Sequence, residues 1–308
     1  MNNQSFRLVR VVVELQSFFF NLNSIAFMQE KEVQLKKMLE TNKVQKDFYE
    51  FDPQEKEEFE YDGNIIGRTW AKFRSNYGTV VNTLGEFEMW RDLHYTWMGD
   101  LSNKKVLDLG CHAGNQLSLE LASKAKEYHG IDLSESATAH LQEKIDAQGK
   151  GNAKAYAVDF LSQDFKERDF DVVYAQSVFH HFKYMEPFLE RVDEVLAPGG
   201  QVITSDPLQT YLPLKVLRSI YRPFQRDSAW EFPFTKETFK LFEKYFDIEN
   251  VQGMMGNTKW VLVLYPLNKS YAEKKWKKWL KEDQENANKV GPYLWKCMRV
   301  TLNLRKKK

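Results

Sequence analysis

Much of the chemistry this 308-residue chain offers gathers around one glycine-containing stretch, Val106-Leu107-Asp108-Leu109-Gly110-Cys111-His112-Ala113-Gly114-Asn115. Glycines at a strand-to-helix turn let a ligand approach the backbone, and the helix that follows presents unpaired N–H groups. Such a turn alone has little specificity, because many parallel-sheet proteins carry one. His112 stands where the dinucleotide fingerprint G-x-G-x-x-G needs its second glycine, so that fingerprint is not satisfied. Asp108, two residues before Gly110, is placed for a carboxylate to accept a hydrogen bond from a ligand's amino group. Two more carboxylates, Asp132 and Asp159, close apolar runs; taken singly, the first reads equally as a helix cap and the second as a loop carboxylate. Further on, His180 and His181 are adjacent, and imidazole is the side chain whose ordinary pKa suits a general base near neutral pH. Neighbouring histidines project in different directions, which argues against a metal clamp and leaves packing under the sheet edge as the alternative role. Arg218, Arg222 and Arg226 are spaced by four, either to meet an anionic group or as a solvated basic surface, with Pro223 cutting the helix short.

The elements that must position these residues follow from the apolar rhythm. Apolar runs at 105–110, 128–132, 153–159, 170–177 and 201–207 read as buried strands. Helical patterns at 115–125, 134–147, 184–196 and 234–246 separate or follow them. Strands alternating with helices imply a parallel sheet with helices on both faces. After 246, FDIENVQG and TKWVLVLY (258–265), joined by a turn at Met254-Met255-Gly256-Asn257, are expected to close the sheet as a hairpin. The expected fold is therefore α/β, a doubly wound, mostly parallel sheet of seven strands. An N-terminal helical cap over 1–100 precedes a ligand-binding domain over 101–268 with an insert at about 208–233, and C-terminal helices follow.

Composition bounds the answer. Hydrophobic residues make up 43% and charged residues 28%, enough apolar surface for a real core, which excludes a collagen-like, coiled-coil or largely disordered chain. Two cysteines, Cys111 and Cys297, imply no disulfide framework and a reducing compartment. No run reaches the ~18 apolar residues of a membrane span. The stretch VVVELQSFFF after Arg7 and Arg10 is broken by Glu14 and Gln16, so residues 1–27 are expected to be a short docking helix or a stretch ahead of a start at Met28, rather than a signal peptide. The net charge of +1 excludes a uniformly basic nucleic-acid binder. It hides an uneven distribution: residues 269–308 hold thirteen Lys and Arg against four Asp and Glu, interleaved with Trp276, Trp279, Tyr293 and Trp295. That segment is expected to be a basic aromatic helical arm. It either packs by its tryptophans, rests on an anionic membrane surface or, less favoured, grips RNA.

The stretch VLDLGCHAG resembles the first-strand motif D-x-G-x-G-x-G of the class I S-adenosylmethionine (SAM)-dependent methyltransferases, matching at Asp108, Gly110 and Gly114 and departing at His112. His tolerates a positive φ better than a β-branched residue would, though it adds bulk beside a cofactor. The resemblance runs over about 100–265 and implies a Rossmann-like methyltransferase fold with SAM as cofactor. It implies that Asp132, followed by Leu133, binds the ribose hydroxyls, that Asp159 and Phe160 recognise the adenine, and that Gly110, Cys111, His112, Gly114 and Gln176 border the cofactor. The turn LAPGG at 196–200 is a further shared feature that shapes the sheet. Nucleobase amino methyltransferases of this fold carry Asn/Asp-Pro-Pro-aromatic after the fourth strand, where this chain has Ala175-Gln176-Ser177-Val178. Catechol-type enzymes place a metal-binding Asp there; with Gln176 in its stead, no metal is expected. The run Ser177-Val178-Phe179-His180-His181-Phe182 resembles the small-molecule, quinone and fatty-acyl methyltransferases, which implies His180 or His181 as general base.

Inserts like that at 208–233 cover the substrate in this family, so Tyr211, Arg218, Arg222 and Trp230, with Trp70, Trp90 and Tyr95 of the N-terminal helices, are expected to form a lid. The expected function is SAM-dependent methyl transfer to a small-molecule or lipid-like acceptor, at oxygen first, then nitrogen or carbon. The protein is expected in the cytoplasm, with peripheral membrane contact through the arm. Two alternatives stay open: a tRNA methyltransferase or related SAM-using tRNA modifier, suggested by the basic tail, and a SAM-binding regulatory protein without catalysis, suggested by His112. Oligomeric state is not legible.

Overall fold

A computed structural model describes residues 27–50, 65, 68, 78–149, 151–225 and 227–308. The expectations placed on Trp70, on Arg226 and on residues 1–26 lie outside these. Helix α1 covers 27–48, α2 covers 78–83, and α3 is Glu86–Met98. The α/β part then runs β1 (Lys105–Leu109), α4 (Gln116–Lys124), β2 (Glu127–Asp132), α5 (Glu135–Ala147), β3 (Ala153–Ala157), β4 (Phe170–Gln176), α6 (Met185–Val195) and β5 (Leu196–Pro207). It continues with α7 (Leu212–Tyr221), α8 (Lys236–Tyr245), β6 (Phe246–Met254), α9 (Val261–Leu264), α10 (Lys269–Asn286) and β7 (Arg299–Lys306).

The sheet order is β3-β2-β1-β4-β5-β7-β6. Strands β1 to β5 pair in parallel, and β7 runs antiparallel to both of its neighbours. Alternation along β1 explains why its strands are apolar throughout. Val106 packs on one side with Tyr128, Val172 and Ile203 under α4 and α5. Leu107 and Leu109 pack on the other with Ile131, Val173 and Val202 under α6 and α8. A parallel sheet covered on both faces has no solvent side to make polar. The helices start where short polar side chains satisfy free N–H groups: Asn115 accepts from Ser118 N and Ser134 from Ala137 N.

The expected closing hairpin is not what forms. Residues 258–265 are helical, a 3-10 turn at Thr258–Trp260 followed by α9, and β6 takes its antiparallel partner from the chain's basic end. A short apolar run does not distinguish buried strand from buried helix. Here Asp283 of α10 decides the matter, accepting from Asn257 N at 2.7 Å, Thr258 N at 3.0 Å and Thr258 Oγ1 at 2.8 Å, so the backbone is turned into a helix and Val261 packs with Val80 and Ala272. The tail is corrected likewise. Only 269–286 is an extended helix; 299–306 is an interior strand whose Val300, Leu302 and Leu304 are fully buried between β5 and β6. Its flanking charges are used locally: Arg305 pairs with Glu249 at 2.8 Å and Lys306 Nζ donates to Leu196 O at 3.1 Å.

Candidate active site

Strand order reverses between β1 and β4, the topological switch point at which open α/β sheets bind ligands beyond the carboxyl ends of their strands. Two hollows meet there, sharing Gly110, His112, Gln176 and Ser177. The glycine turn is stitched to β2, with Gly110 N and Cys111 N both donating to Ile131 O, at 2.8 and 3.1 Å. Gly110 has φ +72°, and a Cβ there would stand 2.4 Å from Val178 Cγ2. His112, at the variant position, also has positive φ, +46°. The bend that a glycine would favour is thus made by a histidine, whose backbone N–H is held by Asp132 Oδ2 at 2.9 Å.

The first of the two hollows brings together Asp132, Leu133, Asp159 and Phe160 with Leu109 of β1 and Ile131 of β2. Asp132 Oδ1 accepts from Ser134 N at 3.0 Å, so this carboxylate ties the glycine turn to the start of α5 while bordering the cavity. Asp159 accepts from Leu161 N at 2.9 Å and from both-oxygen contacts of Asn42 Nδ2 at 3.0 Å; burial raises its pKa against these bonds. Phe160 is buried against Phe165 and Phe188 and lends the cavity an apolar wall. In the second hollow, Asp108 accepts from the Tyr128 hydroxyl at 2.8 Å, and burial pushes its pKa up to about 6. Cys111 and Gly114 border the same hollow; burial raises the Cys111 thiol, so it lies there as a neutral group.

Helix α1 contributes residues that sequence reasoning did not single out. Asn42, Gln45 and Tyr49 border the first hollow from above. Met38 of the same helix is buried in the main core, while Lys31 pairs with Glu190 of α6 and Lys46 with Glu135 of α5. The available signal was a helical stripe, Met38-Asn42-Gln45-Tyr49, in which amides stand on a face that otherwise packs. Gln45 Nε2 is buried with no partner among the described residues. A donor left unmatched beside a cavity fits a ligand that supplies the acceptor. Carboxylates for hydroxyl and amino groups, an apolar wall and a turn opened by Gly110 and Gly114 together fit the adenosine and methionine portions of SAM.

Beyond α1 lies a third cavity of about 490 Å³, joined to the first through Asn42 and His181 and walled by Met38, Val44, Tyr184, Trp230 and Phe232. The two histidines differ sharply. His180 Nδ1 bonds Asp206 Oδ1 at 2.7 Å and Nε2 bonds Glu231 Oε1 at 3.2 Å. Burial opposes its protonation, but the two carboxylates outweigh burial and hold its pKa up to about 9, so both ring nitrogens donate. Glu231 shows the reciprocal effect: burial favours its neutral form, yet His180 brings it down to about 2. Asp206 is buried and also accepts from the Thr204 hydroxyl. His181 borders both cavities, and its Nδ1 bonds Trp230 O at 3.1 Å. A carbonyl only accepts, so Nδ1 carries the proton and Nε2 keeps its lone pair. Burial first, then the His180 cation with ring centroids 4.2 Å away, lowers the His181 pKa to about 4.

The expected lid is mostly elsewhere. Trp230 borders the third cavity and donates Nε1–H to Tyr49 Oη at 3.1 Å. Trp90 is buried with Met254 and Met255, and Tyr95 bonds Glu120 of α4 under Lys124, so both hold α3 in place. Tyr211 lies under Lys259 Nζ, 4.9 Å from its ring. Arg222 donates to Ser228 O and Glu231 O, at 2.8 and 2.9 Å, fixing the insert's own backbone, and Arg218 donates to Tyr221 Oη. None of these five borders the three cavities. The sequence reading also missed Arg299. From β7 it donates to Ser177 Oγ at 2.7 Å and Ser205 O at 3.0 Å, steadying the left-handed turn, φ +60°, after β4.

A family profile described as a methyltransferase domain matches residues 107–202, which covers β1 to β5 and every carboxylate of the first two hollows. The chain is 25% identical over 187 residues to a demethylmenaquinone methyltransferase of Lactococcus lactis, covering 54% of this chain and 74% of that protein. It is 26% identical over 176 residues to phthiotriol/phenolphthiotriol dimycocerosates methyltransferase 1 of Mycobacterium ulcerans, covering 55% of this chain and 57% of that protein, little more than half its length. In structure it resembles a putative sarcosine dimethylglycine methyltransferase from Galdieria sulphuraria, with a TM-score of 0.50 at 14% identity over 72% of this chain and 86% of that one, a likeness of fold.

Proposed function

We propose that the protein is a class I SAM-dependent methyltransferase that methylates an acidic hydroxyl, phenolic or enolic, on a small-molecule or lipid-like acceptor seated between α1 and the 208–233 insert. When bound, SAM supplies an electrophilic methyl group on a sulfonium. Methyl transfer is an in-line displacement, so the protein's work is to hold the acceptor atom in line, exclude water and dispose of one proton. The cavity walls, Met38, Val44, Trp230 and Phe232, give an apolar bed. The observation that carries the reading is the pairing of His181 and His180. His181 borders both the cofactor and acceptor cavities, and with Nδ1 committed to Trp230 O its Nε2 is the atom that would accept a hydrogen bond from the acceptor hydroxyl. With a pKa of about 4, it is a weak base that orients the hydroxyl more than it strips it. The His180 cation beside it is already matched by Asp206 and Glu231, so it holds His181 neutral and leaves the acceptor to release its own proton. That arrangement suits acceptors that give up their proton readily. By their names, the two relatives act on demethylmenaquinone and on phthiotriol dimycocerosates, which supports an acceptor of this small-molecule or lipid-like kind.

The test offers methyl-labelled SAM with quinol and phenol, aliphatic alcohol, amine and tRNA pools. Label in the quinol or phenol pool is the expected result. Label in tRNA or amines alone would overturn the reading, and so would cofactor binding with no transfer to any pool.

A further inference from the structure

Helix α7 breaks the rule that a surface helix buries its apolar face. Leu212, Val216, Leu217 and Ile220 are 69%, 52%, 44% and 61% exposed, and no residue of the helix is buried. Leu212, Val216 and Ile220 recur every four residues and Leu217 stands three before Ile220, which gathers these side chains on one side of the helix. The segment 207–226 holds Lys215, Arg218, Arg222 and Arg226 and no acidic residue. Apolar exposure recurs in the segment that contacts the start of α7. Tyr211, which leads into α7, lies against Lys259, and the turn and helix that follow Lys259 expose Trp260 at 46% and Val263 at 56%. Beyond α9, α10 carries Lys274, Lys275 and Lys277, which form no ion pair among the described residues.

From this we infer that α7 and the exposed face of α9 dock on an anionic lipid surface, with Lys215 of α7 and Lys274, Lys275 and Lys277 of α10 meeting the headgroups. An apolar stripe flanked by cations and free of acids is the composition of a helix lying in the interface plane. RNA would be gripped by the cations alone and gives no use for four exposed aliphatic side chains. Among the described residues no helix is long and apolar enough to cross a membrane. Placement favours the same partner, because the insert that carries α7 also supplies Trp230 and Phe232 to the acceptor cavity. Docking there sets the cavity's wall at the headgroup level. The inference stands apart from the choice of acceptor atom.

The test is sedimentation of the full chain with vesicles of phosphatidylcholine alone and with about 30% phosphatidylglycerol. The wild-type protein is expected to partition onto the anionic vesicles at least about tenfold more strongly. The variant V216E/I220E is expected to lose about tenfold or more of that partitioning, and K215Q a smaller part that shrinks further as salt rises. Unchanged SAM binding by calorimetry shows that each variant is folded, since both substitute exposed positions. Wild-type partitioning equal on the two vesicle types, or V216E/I220E binding as wild type does, would overturn the inference. So would retention on RNA that V216E/I220E leaves intact while vesicles retain nothing. Loss of SAM binding by the wild-type protein would instead count against the methyltransferase reading and leave the vesicle result to stand alone.

Discussion

At the scale of single residues, the histidine pair turns a sequence coincidence into a division of labour. Both histidines stood as equal candidates, because nothing in Phe179-His180-His181-Phe182 says which carboxylate will meet which ring. Asp206 and Glu231, 26 and 51 residues away, supply that answer. His180 gains its proton's stability on folding, so its contribution is fully present below the unfolded pKa near 6.5 and is lost as pH rises through about 9. The shift makes this worth on the order of 1–3 kcal/mol. Denaturant titrations should therefore show stability falling between pH 6.5 and 9, and His180→Gln should flatten that slope while destabilising the protein at neutral pH, because Glu231 is left buried without its cation. A slope unchanged in His180→Gln would show that the imidazolium is misassigned. Asp132 gives a second residue-level prediction. Its two oxygens already hold His112 N and Ser134 N, so Asp132→Asn keeps a bonded side chain but loses charge and one acceptor. SAM affinity measured by calorimetry should drop about 10- to 100-fold with little change in melting temperature. The carboxylates Asp108, Asp132 and Asp159 were legible because each sits at or just past the carboxyl end of its own strand. The partners of His180 were not, because they arrive from other elements.

Elements show the same contrast between local and distant information. Five parallel strands and their helices were readable from apolar runs and turns, since each run is buried on both faces. Strand β7 was not, although RVTLNLRK alternates as a strand should: its basic flanks and the lysine-rich helix ahead of it made the whole tail look like one solvated arm. Pairing on both sides gives β7 a different importance. Removing residues 299–308 would expose the Val300, Leu302 and Leu304 side and leave β5 and β6 with open edges, so the truncated chain should lack a cooperative thermal transition. A truncated protein that melts as the full chain does would restore the arm. Helix α1 is the other element the sequence undervalued. Gln45→Leu should have opposite effects on its two jobs. It removes a buried donor without a partner among the described residues, so the apoprotein should be as stable or more stable, by up to about 1 kcal/mol. SAM affinity should fall about tenfold, because the donor's intended partner is lost. Equal affinity would place the cofactor away from α1.

Across the whole molecule, the near-neutral charge proves to be an average over parts that are partly stitched together. The basic end is not held away from the acidic body: Arg305 reaches Glu249, and Lys306 reaches the end of α6 and the start of β5. Of the α10 lysines, Lys274, Lys275 and Lys277 form no ion pair among the described residues, so the excess positive charge lies partly on a packed helix rather than on a loose arm. Because β7 lies inside the sheet and Arg299 steadies the Ser177 turn at the active site, the last ten residues and the cofactor cradle belong to one cooperative unit. Ligand binding to the native state then stabilises both ends together, by about 2.7 kcal/mol at a hundredfold excess over Kd. Hydrogen exchange should therefore find the amides of 300–304 as slow as those of 106–109, and SAM should slow both sets by the same factor, near a hundredfold where exchange needs global unfolding. If SAM slowed β1 alone while β7 exchanged as a frayed terminus, the sheet would end at β5, and the route from the chain's end to the active site through Arg299 would not exist.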